Sequence, residues 1–239
     1  MTADSDLSGL ADDGASDKPH YLGHRERLRE RFLVEPEALP DYEVMELLLA
    51  SVIPRRDVKP LAKQLIDEFG GFAEALAAPS SVLARIKGVS AATATYLKVV
   101  EHAAQRMLQL KVLNRPVLSG WDTLLDYCTA KMGRLPVEQF RLLFLDRKNV
   151  LIADELQQEG TIDHTPLYPR EVLRRALELH ASAIIMVHNH PSGDPTPSKA
   201  DIEMTRAVRD ALRAVGIALH DHLVIGRKGH TSFKSVGLL

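Results

Sequence analysis

The first half of the sequence carries a helical pattern of apolar residues. From about His20 to Val112, apolar positions recur at three- and four-residue spacing, which is typical of helices with one buried face. Short stretches containing proline or glycine interrupt this pattern at "EPEALP", "IPRRDVKP", "FGGF" and "APS". The sequence therefore predicts a small all-helical domain over residues 19–112.

The pattern changes after "KVLNRPVLSG", which has no helical period and is the predicted boundary between two domains. Beyond it, segments typical of strands alternate with helical segments. The predicted helices are "WDTLLDYCTAKM", "PREVLRRALELHA" and "SKADIEMTRAVRDALRAVG", and the predicted strands are "EQFRLLFLD", "NVLIADELQQEG", "AIIMVHNH" and "ALHDHLVIG". This alternation predicts an α/β (α+β) domain over residues 117–239, with a central mixed sheet flanked by helices.

Composition and charge narrow the cellular setting. Cys128 is the only cysteine among the 239 residues, so an internal disulfide is excluded, and its helical apolar surroundings predict a buried thiol. Residues 1–18 contain five aspartates and one lysine and lack the basic start and apolar core of a signal peptide, so we expect a disordered acidic tail. No run of 18 apolar residues is present. These features favour a cytoplasmic protein without a membrane span.

A pair of histidines ends one of the predicted strands, in the segment "HNHPSGDPTPSKAD" (residues 188–201). Residues two apart in a strand lie on the same face, about 7 Å apart, so His188 and His190 can converge on one ion. A catalytic zinc takes three protein ligands and leaves one position for water. The prolines and Gly193 turn the chain sharply, which makes Asp201 the candidate third ligand. Asp201 could equally form a capping box with Ser198, and the two roles are compatible.

The same segment resembles a known metallopeptidase motif. Its pattern of His-x-His, seven residues and Ser-x-x-Asp matches the signature of the JAMM (JAB/MPN) metallopeptidases. The residues within the segment are similar to those of the bacterial RadC family. The resemblance covers residues 117–239, and the N-terminal half is also similar to the RadC N-terminal region. It implies a JAMM/MPN fold in which His188, His190 and Asp201 bind Zn²⁺ and Ser198 stabilises the developing oxyanion.

The JAMM pattern also implies a general base, a glutamate at the start of a strand that follows a helix. Glu138 occupies this place in "KMGRLPVEQFRLLFLD", and Glu155 and Glu159 in the next predicted strand are the alternatives. The resemblance implies that a zinc-activated water hydrolyses a peptide or isopeptide bond, with a peptide or protein as substrate and the glutamate moving the proton.

The helical half contains a candidate DNA-binding motif. The segment "LARIKGVSAATATYLKVVEHA" resembles a helix-hairpin-helix, in which backbone N–H groups and basic side chains hold DNA phosphates. Arg85, Lys87, Gly88 and Lys98 are the candidate contacts. Ser90 stands where this motif commonly has a second glycine, and the alternative is an ordinary helical hairpin with a solvated basic face.

The sequence is also compatible with functions other than peptide hydrolysis. The alternative to an enzyme is a non-catalytic zinc-containing factor that binds DNA or protein, in keeping with the repair-related name of the RadC family. A two-metal nuclease is less favoured, because such sites need several carboxylates around paired ions. The second His-x-His pair, His220 and His222, lacks a following Ser-x-x-Asp, so we expect a structural role or the orientation of a metal ligand.

Overall fold

The computed structural model describes residues 20–160 and 167–239. They form two compact units, one ending at Glu68 and the other beginning at Phe69. The predicted acidic tail, residues 1–18, lies outside the described residues. Within the described ranges, no helix combines the length and the apolarity needed to cross a membrane.

The first unit is all-helical. It contains α1 (His20–Val34), a 3₁₀ turn (Pro36–Ala38), α2 (Asp41–Val52) and α3 (Lys59–Phe69). Its core is formed by the apolar faces of these helices, with Leu28, Met45, Leu49, Leu61 and Leu65 buried. Two acids of α2 are also buried, and each has a basic partner on α1: Glu43 pairs with Arg31 at 3.0 Å and Glu46 with His24 at 2.9 Å.

The second unit begins with further helices and continues into the sheet. Its helices are α4 (Phe72–Ala77), α5 (Ser80–Leu83), α6 (Ala91–Val112), α7 (Trp121–Met132), α8 (Pro169–Glu178) and α9 (Lys199–Arg213). Its strands are β1 (Glu138–Leu145), β2 (Leu151–Gly160), β3 (Ala183–Asn189), β4 (Ala218–Gly226) and β5 (Gly229–Ser232). A helical region therefore precedes an α/β sheet domain, as the sequence predicted.

The sheet is mixed, which confirms the predicted fold class. The strand order is β2-β1-β3-β4-β5, and β3 and β4 are parallel while every other neighbouring pair is antiparallel. All seven residues of β3 are buried, because this strand lies between β1 and β4 and helices cover both faces of the sheet. One face packs against α7, and the other packs against α8 and α9.

The segment between α6 and α7 is joined to the sheet at several points. Val112 and Val117 are buried in the core beneath α7, and the amide of Asn114 donates to the carbonyl of Leu151 at 2.9 Å. The boundary placed at residues 112–117 stays a prediction. The fifth strand, β5, was not predicted.

Candidate metal centre

Three residues singled out in the sequence meet at the end of β3. His188 is the next-to-last residue of that strand, His190 follows the strand, and Asp201 lies in the first turn of α9. One ligand atom from each residue lies within 4.8 Å of the other two. Over residues 20–160 and 167–239, no other group of three His, Cys, Asp or Glu side chains is placed to hold an ion. We call these three residues the metal cluster.

The loop between His190 and Ser198 brings the cluster together. The amide of His190 donates to the carbonyl of Ile225 at 2.9 Å, which fastens the loop to β4. Gly193 has a φ of 85°, a left-handed conformation that glycine adopts without strain. The loop crosses Gly226 so closely that a Cβ there would lie 2.4 Å from the carbonyl oxygen of Gly193. Gly226 is therefore needed for the loop to pass.

The distances within the cluster suit a tetrahedral ion. The Nε2 atoms of His188 and His190 are 3.0 Å apart, and they lie 3.5 Å and 3.7 Å from the carboxylate oxygens of Asp201. An ion bonded to its ligands at about 2.0 to 2.1 Å in tetrahedral geometry holds them about 3.3 Å apart. The 3.5 Å contact reaches Oδ1 of Asp201 and the 3.7 Å contact reaches Oδ2, so the spacing of the three residues is close to that of a zinc ligand set.

Hydrogen bonds direct the lone pair of His190 toward the cluster. Its Nδ1 lies 2.8 Å from the carbonyl oxygen of Asp194, which can only accept, so Nδ1 carries the proton. In the neutral ring, Nε2 then presents a lone pair to His188 and Asp201. Three electron-rich atoms at these distances repel one another unless a cation lies between them.

The electrostatics of Asp201 and His190 also favour a cation. Burial raises the pKa of Asp201, but its interactions with His188 and His190 outweigh burial and leave that pKa below its usual range. The hydrogen bond to Asp201 raises the pKa of His190, and the nearby carboxylates of Asp201 and Glu138 add to this effect. The cluster therefore stabilises positive charge, whether carried by a proton or by a metal ion.

Ser198 and Asp201 form the capping box that the sequence left as an alternative. The Oγ of Ser198 accepts from the amide of Asp201 at 3.1 Å, and Oδ2 of Asp201 accepts from the amide of Ser198 at 2.7 Å. The cap and the cluster use the same carboxylate, so the two roles coexist. Because Ser198 accepts in the cap, its hydroxyl proton remains available to donate.

Glu138 lies beside the cluster at the start of β1. Phe140, two residues on, pairs with His188 across β1 and β3, and the two rings are stacked with centroids 5.7 Å apart. Alternate residues of a strand share a face, so Glu138 lies on the face of Phe140. Its side chain is exposed, and its charge acts on His190. The side chain of Asn189 fixes this strand end, accepting from the amide of Gln139 at 2.8 Å and donating to the carbonyl of Val137 at 3.0 Å.

The two alternative bases lie on β2, which β1 separates from the histidine strand. Glu155 accepts two hydrogen bonds from Arg175 Nε and a third from its Nη2, at 2.5 to 3.1 Å. Glu159 is exposed and pairs with Gln139 in the β1–β2 register. Of the three glutamates, Glu138 is therefore the one that lies on the strand next to β3.

The second His-x-His pair divides into two different environments. His222 is fully buried on β4, and its Nε2 lies 2.8 Å from Nδ1 of His188. Its other nitrogen lies 2.6 Å from the hydroxyl of Thr205, and burial lowers its pKa well below the ordinary value. His220 instead contacts the side-chain oxygen of Asn149 at 2.6 Å. Only His222 of this pair thus contacts the cluster, and it contacts a candidate ligand.

Aromatic side chains enclose the buried histidines. Phe140 lies 5.5 Å from the ring of His222, and Phe233, which is fully buried, lies 4.5 Å from it. His188 has no exposed surface, whereas the side chains of His190 and Asp201 are 18% and 13% exposed. The cluster is therefore closed on the His188 side and open to solvent on the side of His190 and Asp201.

The candidate DNA contacts differ in their exposure and in their partners. Arg85 and Lys87 are exposed, and Gly88 has a φ of 100° in the turn before α6. The ammonium of Lys98 instead donates to the carbonyls of Leu76 and Ala78 at 3.0 and 3.2 Å and forms an ion pair with Glu101. Lys98 therefore fastens α6 to the helices before it.

The predicted first helix of this hairpin is short. The helix α5 covers only Ser80–Leu83, and Ser90 caps α6 by accepting from the amide of Thr93 at 3.1 Å. Ser90 thus takes part in the turn through its side chain, at the position where the resemblance would place a glycine.

The sequence correctly predicted the environment of Cys128 but did not identify several residues around the cluster. The thiol of Cys128 is buried as predicted, and burial raises its pKa. Thr205, Asn189 and Gly226 were missed, because each has a partner at least 17 residues away in the sequence, namely His222, Gln139 and Gly193. The spacing of Thr205, four residues after Asp201, was the one available signal, because it places both on one face of α9.

Comparisons with known proteins agree with this picture. The family model described as RadC-like JAB domain matches residues 118–238. A UPF0758 protein of Rhodobacter capsulatus is 61% identical over 213 residues, covering 89% of this chain and 100% of the relative. A UPF0758 protein of Ruegeria pomeroyi is 57% identical over 223 residues, covering 92% of this chain and 100% of the relative. These names state no activity.

Proposed function

The chain belongs to the RadC family, and from this membership and the geometry of the cluster we propose that residues 117–239 form a zinc-dependent hydrolase of JAMM type. The proposed substrate is a peptide or isopeptide bond in a peptide or protein. The observation that carries the proposal is the convergence of His188, His190 and Asp201 into a cluster that is buried on one side and open on the other.

The donor set and its openness support a catalytic ion. Two imidazoles and a carboxylate form one of the ligand sets found in catalytic zinc sites, whereas structural zinc sites use four protein ligands. Zinc held here would supply Lewis-acid chemistry, acidifying water and polarising a carbonyl. The exposed surface of His190 and Asp201 lies where a substrate would enter.

Two side chains of this chain carry the proton transfer and the charge stabilisation. Glu138, exposed beside His190, would accept a proton from the attacking water and return it to the leaving amine. The free hydroxyl proton of Ser198 would be donated to the oxyanion that forms on the carbonyl, an interaction worth about 10²- to 10³-fold in kcat. Both groups lie next to the cluster without being its ligands.

The substrate class and the base are tested together. Wild type, Glu138→Gln and Glu159→Gln would be loaded with zinc and assayed on peptides, isopeptide-linked peptides and duplex DNA. We expect cleavage of an amide substrate by wild type and by Glu159→Gln, and a loss of about 10²- to 10⁴-fold in Glu138→Gln with zinc stoichiometry unchanged. Undiminished cleavage by Glu138→Gln, or cleavage of DNA alone, would contradict the proposal.

A second function, weak binding of DNA by the helical region, is favoured by one observation. Arg85 and Lys87 are both exposed around the left-handed turn at Gly88, directly before the start of α6. Exposed cations and the amides of a helix start attract phosphates without selecting a base sequence. If the hydrolase assay fails, a non-catalytic zinc-containing factor that binds DNA or protein is the remaining candidate.

A further inference from the structure

A chain of hydrogen bonds runs from one end of the cluster to the other through two residues that bind no ion. It starts at the backbone carbonyl of Asp201, passes through the hydroxyl of Thr205 and the ring of His222, and ends at Nδ1 of His188. The three distances are 2.5, 2.6 and 2.8 Å. The chain therefore connects two candidate ligands through the interior of the domain.

The positions of the protons follow from the first link. A backbone carbonyl can only accept, so the hydroxyl proton of Thr205 must point at the carbonyl of Asp201. The hydroxyl oxygen then accepts at its second contact, so Nδ1 of His222 must carry a proton. A neutral imidazole carries one proton, which leaves Nε2 of His222 as an acceptor.

The last link sets the state of the ligand itself. Because Nε2 of His222 accepts, the contact at 2.8 Å requires a proton on Nδ1 of His188. The lone pair of His188 is then on Nε2, the atom that faces His190 and Asp201. The opposite tautomer would place a proton on Nε2 and block the ligand position.

We propose that His222 and Thr205 are positioning residues that hold His188 as the Nδ1-protonated tautomer and so keep its Nε2 ready for the metal. This inference rests on the metal site of the proposed function. Thr205 and His222 have no exposed surface, and Phe140 and Phe233 enclose the His222 ring, so water is poorly placed to replace either partner. Metal ligands commonly depend on such outer partners, whose loss costs about 10- to 100-fold in affinity.

The inference is tested by replacing the hydroxyl group of Thr205 with a methyl group. Thr205→Val keeps the shape but removes the hydroxyl, so the His222 ring loses the group that fixes its tautomer. We expect zinc affinity, measured by competition with a chelator, to fall about 10- to 100-fold. Thr205→Ser, which restores the hydroxyl, should bind zinc within a few-fold of wild type. Thr93→Val is the matched control, since Thr93 is also a buried helical threonine and lies in α6, outside the cluster.

A spectroscopic measurement separates this inference from the zinc proposal. In metal-free wild type at mildly alkaline pH, the ¹⁵N chemical shifts of the His188 and His222 rings should show a protonated Nδ1 and an unprotonated Nε2. Wild type that binds no zinc would overturn the proposed function and this inference together. If wild type binds zinc, a protonated Nε2 on His222, or Thr205→Val that binds as tightly as wild type, would overturn the inference alone.

Discussion

The metal cluster and the basic turn before α6 show how differently two motifs of one unit are built. In the cluster, the side chain of Asp201 both caps α9 and faces the two histidines. In the helical region, the ammonium of Lys98 is held by two carbonyls and a carboxylate, while Arg85 and Lys87 are exposed. The cap and the candidate ligand position share the carboxylate of Asp201, whereas the ammonium of Lys98 is engaged in contacts within the helical region.

The difference lies in how many contacts define each position. Every member of the cluster is placed by contacts to other parts of the fold, such as the bond from His188 to His222 on β4. Arg85 and Lys87 are placed only by the course of the backbone. A side chain with several fixed partners has a defined geometry, so its chemistry can be inferred from structure more closely than that of a solvated cation.

The largest expected effect comes from separating the two roles of Asp201. Asp201→Asn keeps an oxygen for the cap but removes the negative charge between two neutral imidazoles. We expect zinc affinity to fall by more than about 100-fold, beyond the loss of an outer partner. The free energy of unfolding of the metal-free protein should fall by about 1 kcal/mol or less. Zinc titration measures the affinity, and chemical denaturation measures the free energy of unfolding. A loss of zinc-binding free energy no larger than the loss of unfolding free energy would contradict a ligand role.

The next effect concerns the backbone that brings the cluster together. Gly226→Ala places a Cβ 2.4 Å from the carbonyl oxygen of Gly193, so the loop that carries the cluster must shift. We expect a loss of about 10- to 100-fold in zinc affinity, comparable to that of removing an outer partner. Gly160→Ala is the control, because an added Cβ there meets nothing within 4 Å. Equal zinc affinity of both variants would show that the loop tolerates displacement.

The smallest expected effect concerns DNA binding by the exposed cations before α6. Each phosphate neutralised on duplex DNA contributes a slope of about −0.9 to the logarithm of the binding constant against that of salt. Lys87→Ala should make this slope shallower by about one unit. Lys98→Ala should leave it unchanged but destabilise the fold by about 1 to 3 kcal/mol, because two carbonyls lose their donor. A slope change in Lys98→Ala equal to that in Lys87→Ala would contradict the structural role of Lys98.

Most of the fold could be predicted from the sequence, because its signals are local. The four interruptions of the helical pattern coincide, to within about two residues, with the breaks between consecutive helices from α1 to α5, and the predicted strands appear as β1 to β4. The strand β5 escaped prediction since its four residues, "GHTS", lack both an apolar run and alternation. It pairs with β4 through the short turn at Arg227 and Lys228.

The candidate site was predictable where a motif is continuous and not where it is assembled. The segment from His188 to Asp201 carries the three candidate ligands in one stretch of chain, so its spacing was informative. His222 reaches Thr205 and His188 only because β4 lies beside β3, and the sequence offered for His222 no more than a repeated His-x-His pattern. The ammonium of Lys98 is held by the carbonyls of Leu76 and Ala78, and nothing in the sequence indicates this contact.

Anomalous diffraction at the zinc absorption edge, from crystals of the full chain grown with zinc, would locate the ion. We expect one peak per chain, about 2.0 to 2.2 Å from Nε2 of His188, Nε2 of His190 and a carboxylate oxygen of Asp201, with the remaining position open toward Glu138. The absence of a peak at the cluster, a fourth protein ligand that closes the site, or ligation of His188 through Nδ1 would contradict this expectation.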